Sequence, residues 1–279
     1  MKKGFTLVEL VGVVVLLAAL LLIIVPTVDK ILKDGKDEMY ENQITSIKQS
    51  MATWVLDNKP GNGEVIYITL SQLKKDSLVE LDIKNPKTDE FLANDMKLKI
   101  TNNDGIIEYE VLDDTGNCMK DYLSSPKIDI QGSVVEYVEI NTNYNDVMAI
   151  AKDKDGNLLN NVTKEGSVDT TKLGSYHITY HADKNGYCNS SIKTVIVKDT
   201  TKPVISFNGD LVINYSEVSS ESLNDKLTAD VTVTDNSNED ITVTVETDFS
   251  AIKGNYTIKY IAKDSSGNIA TKLRKVTLY

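Results

Sequence analysis

Glu9 is the residue most out of place in this chain, a carboxylate set a few positions into the apolar run 5–28. A charge in lipid is costly and usually marks function. Opposite charges in low dielectric attract strongly only when paired and aligned, so an acid placed here is suited to fixing the position of a partner. The other reactive groups are sparse. His177 and His181 are the two histidines; four residues apart on a strand they stand about 13 Å apart, too far to share one metal ion. Cys118 and Cys188 are the two cysteines, which permits one bridge and excludes a disulfide-dense scaffold. Asp153-Lys154-Asp155-Gly156-Asn157 has the acidic spacing of a calcium loop but lacks the terminal bidentate glutamate, and reads as a turn. Asp264 to Asn268 reads as a hairpin turn in the same way. A Gly-rich phosphate loop, a serine-nucleophile elbow, a metalloprotease helix and a convincing acid pair are all missing from the sequence. The expectation is a protein that is not an enzyme, with no cofactor and no metal.

Bulk properties narrow the partners. The net charge of −11 and the lack of a basic run argue against nucleic acid, whose binding begins with phosphate neutralisation. A length of 279 residues suits two or three domains.

The elements that must carry these residues begin with a helix. Residues 5–28 span about 36 Å at about 1.5 Å per residue, enough to cross a hydrocarbon core of about 30 Å. Lys2 and Lys3 precede them, which places the start of the chain inside the cell. A removable secretory signal needs a small-residue site after its apolar region. Here the run ends in Val25, Pro26 and Thr27 and passes into helical spacing instead. Lys2-Lys3-Gly4-Phe5-Thr6-Leu7-Val8-Glu9 resembles the processing motif of the type IV pilin and pseudopilin family. The resemblance implies prepilin peptidase cleavage between Gly4 and Phe5, N-methylation of Phe5, and assembly through Glu9, which meets the N-terminal amine of a neighbouring subunit. Pro26 matches the point where such helices bend; proline removes a backbone donor.

Beyond Pro26, Val28, Ile31, Leu32, Met39, Ile47, Met51, Trp54 and Val55 form an apolar stripe predicted to pack on a small sheet, with Gly35 a candidate interruption. Trp54 reads as core. A short helix begun by Thr69 or Ser71 follows, then the turn Asn85-Pro86-Lys87-Thr88. A hairpin about Asn102-Asn103-Asp104-Gly105 completes a head similar to the compact pilins and pseudopilins of Gram-positive bacteria.

The second half repeats itself. Gly174-Ser175-Tyr176-His177-Ile178-Thr179-Tyr180-His181-Ala182 recurs as Gly254-Asn255-Tyr256-Thr257-Ile258-Lys259-Tyr260-Ile261-Ala262, and Pro126 is matched by Pro203, a period of about 77–81 residues. That period fits tandem antiparallel β-sandwiches. Tyr176, Ile178, Tyr180 and Ala182 are predicted to face inward, and His177, Thr179 and His181 outward. The phrases Asp199-Thr200-Thr201-Lys202-Pro203 and Asp264-Ser265-Ser266-Gly267-Asn268 resemble bacterial immunoglobulin-like domains.

The expected class is α+β: a long N-terminal helix on a small antiparallel sheet, then two all-β immunoglobulin-like sandwiches. The expected divisions are a leader 1–4, a transmembrane and assembly half-helix 5–28, a head 29–115, a linker 116–125, and sandwich domains 126–199 and 200–279. The C-terminal strand 273–278 carries no sorting motif, so anchoring is expected from the N-terminal helix. The resemblance implies a minor pilin or pseudopilin. Its partners would be a prepilin peptidase, other pilin subunits, the assembly machinery and, before assembly, the cytoplasmic membrane. It would present its tandem modules at the cell surface for adhesion or as spacers. Two alternatives stand beside this, a pseudopilin of a type II secretion-like or DNA-uptake machine and a membrane-tethered adhesin that does not polymerise. A bridge between Cys118 and Cys188 is expected where the head meets the first sandwich.

Overall fold

The structure, a computed structural model, describes residues 7–113, 118, 121–217, 223–247 and 252–279. Helix α1 (Leu7–Trp54) opens it and runs without a break through Pro26 and Gly35. The expected interruption at Gly35 does not occur. A Cβ there would meet nothing within 4 Å, so one glycine costs only helix propensity, about 1 kcal/mol, which 48 continuous residues absorb.

The head is a three-stranded antiparallel sheet in the order β1 (Val65–Thr69), β2 (Lys97–Asn103), β3 (Ile106–Asp113). Asp104 and Gly105 turn the β2–β3 hairpin with positive φ of 52° and 89°, the geometry that matches the right-handed strand twist. Between β1 and β2 lies α2 (Leu70–Lys75), begun at Thr69, whose N–H donates to the Gln72 side chain (2.9 Å). Helix α1 packs on β3 and α2. Ile47, Met51, Trp54 and Val55 are buried, and so are Ile66, Ile68, Leu73, Met96 and Leu98 of the head. The apolar stripe stops short of its predicted length: Val28, Ile31, Leu32 and Met39 are exposed, because the head covers only the last turns of α1.

The rest of the chain is β-rich. It comprises β4 (Lys127–Asp129), β5 (Val135–Glu139), β6 (Ile150–Lys152), β7 (Leu158–Leu159), β8 (Thr163–Glu165), β9 (Gly174–Lys184) and β10 (Tyr187–Lys198). Then come β11 (Val204–Ser206), β12 (Leu211–Ile213), the short helix α3 (Leu223–Thr228), β13 (Thr232–Thr234), β14 (Val243–Glu246), β15 (Gly254–Lys263) and β16 (Ile269–Leu278). The sequence repeat has a structural counterpart. One four-stranded sheet has the order β5-β10-β9-β8 and the other β12-β16-β15-β14, each beside a smaller sheet, β4-β6-β7 and β11-β13. The purely antiparallel expectation is corrected at one edge of each, where β5 pairs parallel with β10 and β12 with β16. Both copies also fold a tyrosine back on the chain four residues earlier: Tyr176 Oη donates to the Lys172 carbonyl (3.0 Å) and Tyr256 Oη to that of Ile252 (2.7 Å). Such corners recur in immunoglobulin-like sandwiches.

Two compact units result. One comprises Met1–Val134, Val147–Glu165 and Ile178–Lys193, the other Val135–Asp146, Gly166–His177 and Thr194–Tyr279. The second encloses a core of Ile205, Ile213, Leu227, Ile258, Tyr260, Ala262, Val276 and Leu278. Its buried cation Arg274 is fully occupied: two bonds reach Asp230 (2.6 and 2.8 Å) and others the Gly209 and Asn208 carbonyls, with the guanidinium over the Phe207 ring.

Candidate functional site

Two surfaces bear on function, the free half of α1 and the junction where the head meets the repeated β-domains. In α1 the described aliphatic side chains from Leu7 to Leu32 face out, and Ile47 is the first apolar residue of the helix that the rest of the chain buries. This stretch is long and apolar enough to cross a membrane, and none of it is covered by the rest of the protein. Glu9 stands exposed in its first turn, where a carboxylate also complements the helix dipole. Gly4 and Phe5 lie outside the described residues, and Pro26 lies inside the continuous helix. Below the free half, the turn after Lys84 grips α1: Lys87 pairs with Asp37 (3.0 Å) and lies over the Tyr40 ring (4.3 Å).

The junction is built on backbone groups that need partners. The Gln72 side chain acts as a length of β-strand toward β10, its Nε2 donating to the Ile192 carbonyl and its Oε1 accepting the Ile192 N–H, both at 2.9 Å. Thr69 Oγ1 donates to the Ser190 carbonyl (2.8 Å), and Asn189 Nδ2 to that of Pro126 (2.8 Å). Cys118 and Cys188 are joined by a disulfide, with their Cα atoms 5.1 Å apart. On one side Cys118 is fixed by the chain just before β2: Asn94 N–H donates to its carbonyl and its own N–H donates to Asp95. The buried Lys74 beside this junction is a candidate nucleophile by its pKa, which burial, then the Lys127 charge, lowers to about 8. It is committed to structure, donating to Asn94 Oδ1 at 2.9 Å.

In the second unit, Glu139 at the end of β5 collects donors from the connection 199–201 between the two repeats. Thr200 and Thr201 each give it an N–H and a hydroxyl, and Asn236 Nδ2 adds one at 2.8 Å. Burial alone would raise this carboxyl, but these donors outweigh it and hold the pKa at about 2. A depressed carboxyl pKa contributes stability that is present above its unfolded value and lost as pH falls toward the folded one. Acid titration of unfolding is therefore expected to show a difference of roughly 2–3 kcal/mol between the native chain and Glu139→Ala at pH 7, shrinking progressively between about pH 4.5 and pH 2. Denaturant unfolding at fixed pH values measures it, and a difference independent of pH would refute it.

The histidines do not converge on a metal-like pair. His177 is exposed, whereas His181 is half covered, with Nδ1 2.6 Å from Ser190 Oγ and Nε2 3.8 Å from Glu165. Thr179, expected outward, is buried together with Ile178 and Tyr180. It lies on β9, an inner strand of its sheet.

Comparison with known proteins bears on the first repeat. Residues 128–197 match the family described as "Bacterial surface protein, Ig-like domain". This segment is similar to a bacterial surface Ig-like domain. Comparison with curated proteins finds no match. Among solved structures, a Bacteroides thetaiotaomicron lipoprotein is 14% identical, with 53% of this chain and 98% of that one covered at a TM-score of 0.25. The M60 catalytic domain of Clostridium perfringens ZmpB with its CBM51 domains is 12% identical, with 66% and 33% covered at a TM-score of 0.31. The human mucin-like protocadherin EC1-2 pair is 11% identical, with 55% and 98% covered at a TM-score of 0.24.

Within the Ig-like domain the Asp153 turn is closed on itself: Oδ1 accepts the N–H groups of Asp155 and Asn157, and Oδ2 accepts Asn157 Nδ2. Sequence reasoning missed a different group. Asp199, Glu239 and Asp264 each bring a carboxylate oxygen within 4.8 Å of the others. They are separated by 40 and 25 positions, so local spacing carried no signal of it. The density of acids in Asp235-Asn236-Ser237-Asn238-Glu239-Asp240 was the available hint.

Proposed function

We propose that this chain is a minor pilin or pseudopilin of a type IV pilus-like filament. It would be held in the cytoplasmic membrane with its N-terminus inside before assembly, and would display two Ig-like modules at the cell surface as adhesive units or spacers. Its partners would be a prepilin peptidase, other pilin subunits and the assembly machinery; a catalytic role forms no part of this reading. The observation that carries it is α1: one 48-residue helix whose outer half is apolar, uncovered and bears Glu9, while its last turns are built into the head. An uncovered apolar half needs lipid or neighbouring helices, and a carboxylate within such a run marks function. The matching strand orders of the two repeats support a second Ig-like module after residue 199, and the family match at residues 128–197 supports a surface location. Two such modules add bulk that a close-packed shaft accommodates poorly, which favours a low-abundance subunit near the tip.

Processing tests the reading. Mass analysis of the protein from its native membrane is expected to find a chain starting at Phe5 with one added methyl group. Gly4→Leu should leave the precursor uncut yet still inserted, since the apolar helix is unchanged. A mature chain starting beyond Pro26 would overturn the assignment.

A further inference from the structure

We propose that Asp199, Glu239 and Asp264 form a calcium site at the connection between the two repeats. The site is independent of the filament reading. Asp199 and Asp264 are buried (7% and 5% exposed) and Glu239 is half-buried, with one oxygen from each within 4.8 Å of the others. The second observation concerns Asp199 itself. Its Oδ1 accepts the Thr201 N–H (3.1 Å), and Ser266 lies beside the carboxylate, but Oδ2 is sealed from solvent and meets no donor in hydrogen-bonding geometry. Two more oxygens in the adjoining loop, Asp235 Oδ2 and Asn236 Oδ1, are also sealed and unpartnered. A buried acceptor left unsatisfied costs about 1–3 kcal/mol, and more when charged, so the sealed Asp199 Oδ2 in a cluster with the Glu239 and Asp264 carboxylates calls for a cation.

The donor set is all oxygen, which selects a hard cation. Carboxylates in irregular loops suit the six to eight flexible ligands of calcium better than the strict octahedron of magnesium. The Asp264 and Glu239 carboxylates are fixed by the β15–β16 turn: Asp264 Oδ1 accepts the Asn268 N–H (2.7 Å) and Oδ2 accepts Asn268 Nδ2 (2.8 Å), and Glu239 Oε1 accepts the Ser265 N–H (3.0 Å). Asn268 Nδ2 also reaches the Asp199 carbonyl (3.2 Å). The first repeat does not share the arrangement. By the repeat offset, Tyr122 stands where the second copy has Asp199, and Lys184 where it has Asp264. A turn acid required by the fold would recur, whereas a site specific to the connection need not. Occupied, the ion would tie the segment leaving β10 to the β13–β14 loop and the β15–β16 hairpin.

The test uses the full chain in detergent, stripped with EDTA and titrated with CaCl2 or MgCl2 by calorimetry, alongside thermal unfolding. The expected result is one calcium per chain with a Kd of about 10⁻⁴–10⁻³ M, the range of extracellular modules, and no comparable magnesium heat. At about a hundredfold excess over Kd, Tm should rise by about 5–10 °C at pH 7. Asp199→Asn should weaken binding about tenfold or more, yet unfold at an equal or higher temperature in EDTA, because it removes a carboxylate repelled by its neighbours. Glu239→Gln, at the more exposed position, gives the same affinity loss should Asp199→Asn fold poorly. Asp153→Asn, in the self-closed turn, should bind calcium as the native chain does. Absence of saturable calcium uptake up to about 10 mM, or undiminished uptake by both Asp199→Asn and Glu239→Gln, would overturn the proposal.

Discussion

Glu9→Ala is expected to leave the protein in the membrane and to remove it from sheared filaments. The two effects have opposite signs, which gives the experiment its power. Removing an acid from the apolar run eliminates an insertion cost of about 2.5–3.5 kcal/mol on translocon scales, so anchoring can only improve. Assembly, in the proposed reading, depends on that carboxylate meeting the amine of a neighbouring subunit in low dielectric, where an unmatched partner charge is costly. Incorporation should therefore fall to background, although α1 keeps its length and its packing through Ile47, Met51 and Trp54. Quantitative blotting of membrane and sheared-filament fractions reads both arms. Unchanged incorporation of the alanine variant would favour the tethered adhesin, for which Glu9 has no use.

Cys118→Ser/Cys188→Ser is expected to lower unfolding stability by roughly 4 kcal/mol, the chain-entropy estimate for a closed loop of this size, since the bridge spans a separation of 70 residues. Its location sharpens the expectation. Cys188 begins the stretch of β10 whose Ser190 and Ile192 are held by Thr69 and Gln72, and Cys118 is fixed beside Asn94 and Asp95. Without the bridge the first groups to open should be those at Ser190 and Ile192. Denaturant unfolding of the oxidised and variant proteins gives the magnitude, and hydrogen exchange at Ile192 gives the place. Equal stability, or two cysteines freely alkylated in the unreduced native protein, would contradict it.

Contacts near in sequence were legible. The β2–β3 hairpin follows from Asp104-Gly105 between alternating runs, and the short helix from Thr69 three residues before Gln72. Both are set by backbone preferences within a few positions. Gln72 itself was not legible as a junction residue. In a short amphipathic helix a glutamine reads as solvent-facing, yet it is buried because its amide has the same donor–acceptor pair as a strand.

The two copies of one pattern show where tertiary structure takes over. In β16 the residues from Leu273 to Leu278 alternate between more exposed and buried side chains as the sequence predicts, whereas in β10 every residue from Asn189 to Val197 is buried, Lys193 and Thr194 included. The same strand period thus yields two burial patterns, because burial depends on what covers each face. The sequence by itself determined the long apolar helix with its single carboxylate, the hairpin and the repeat, since each is written in short-range periodicity and residue type. Only the tertiary structure decided that α1 is bare through Leu32, that Gln72 completes a strand ladder, and that Asp199, Glu239 and Asp264 meet. Each of those depends on chain segments tens of residues apart arriving at one place, which no local spacing encodes.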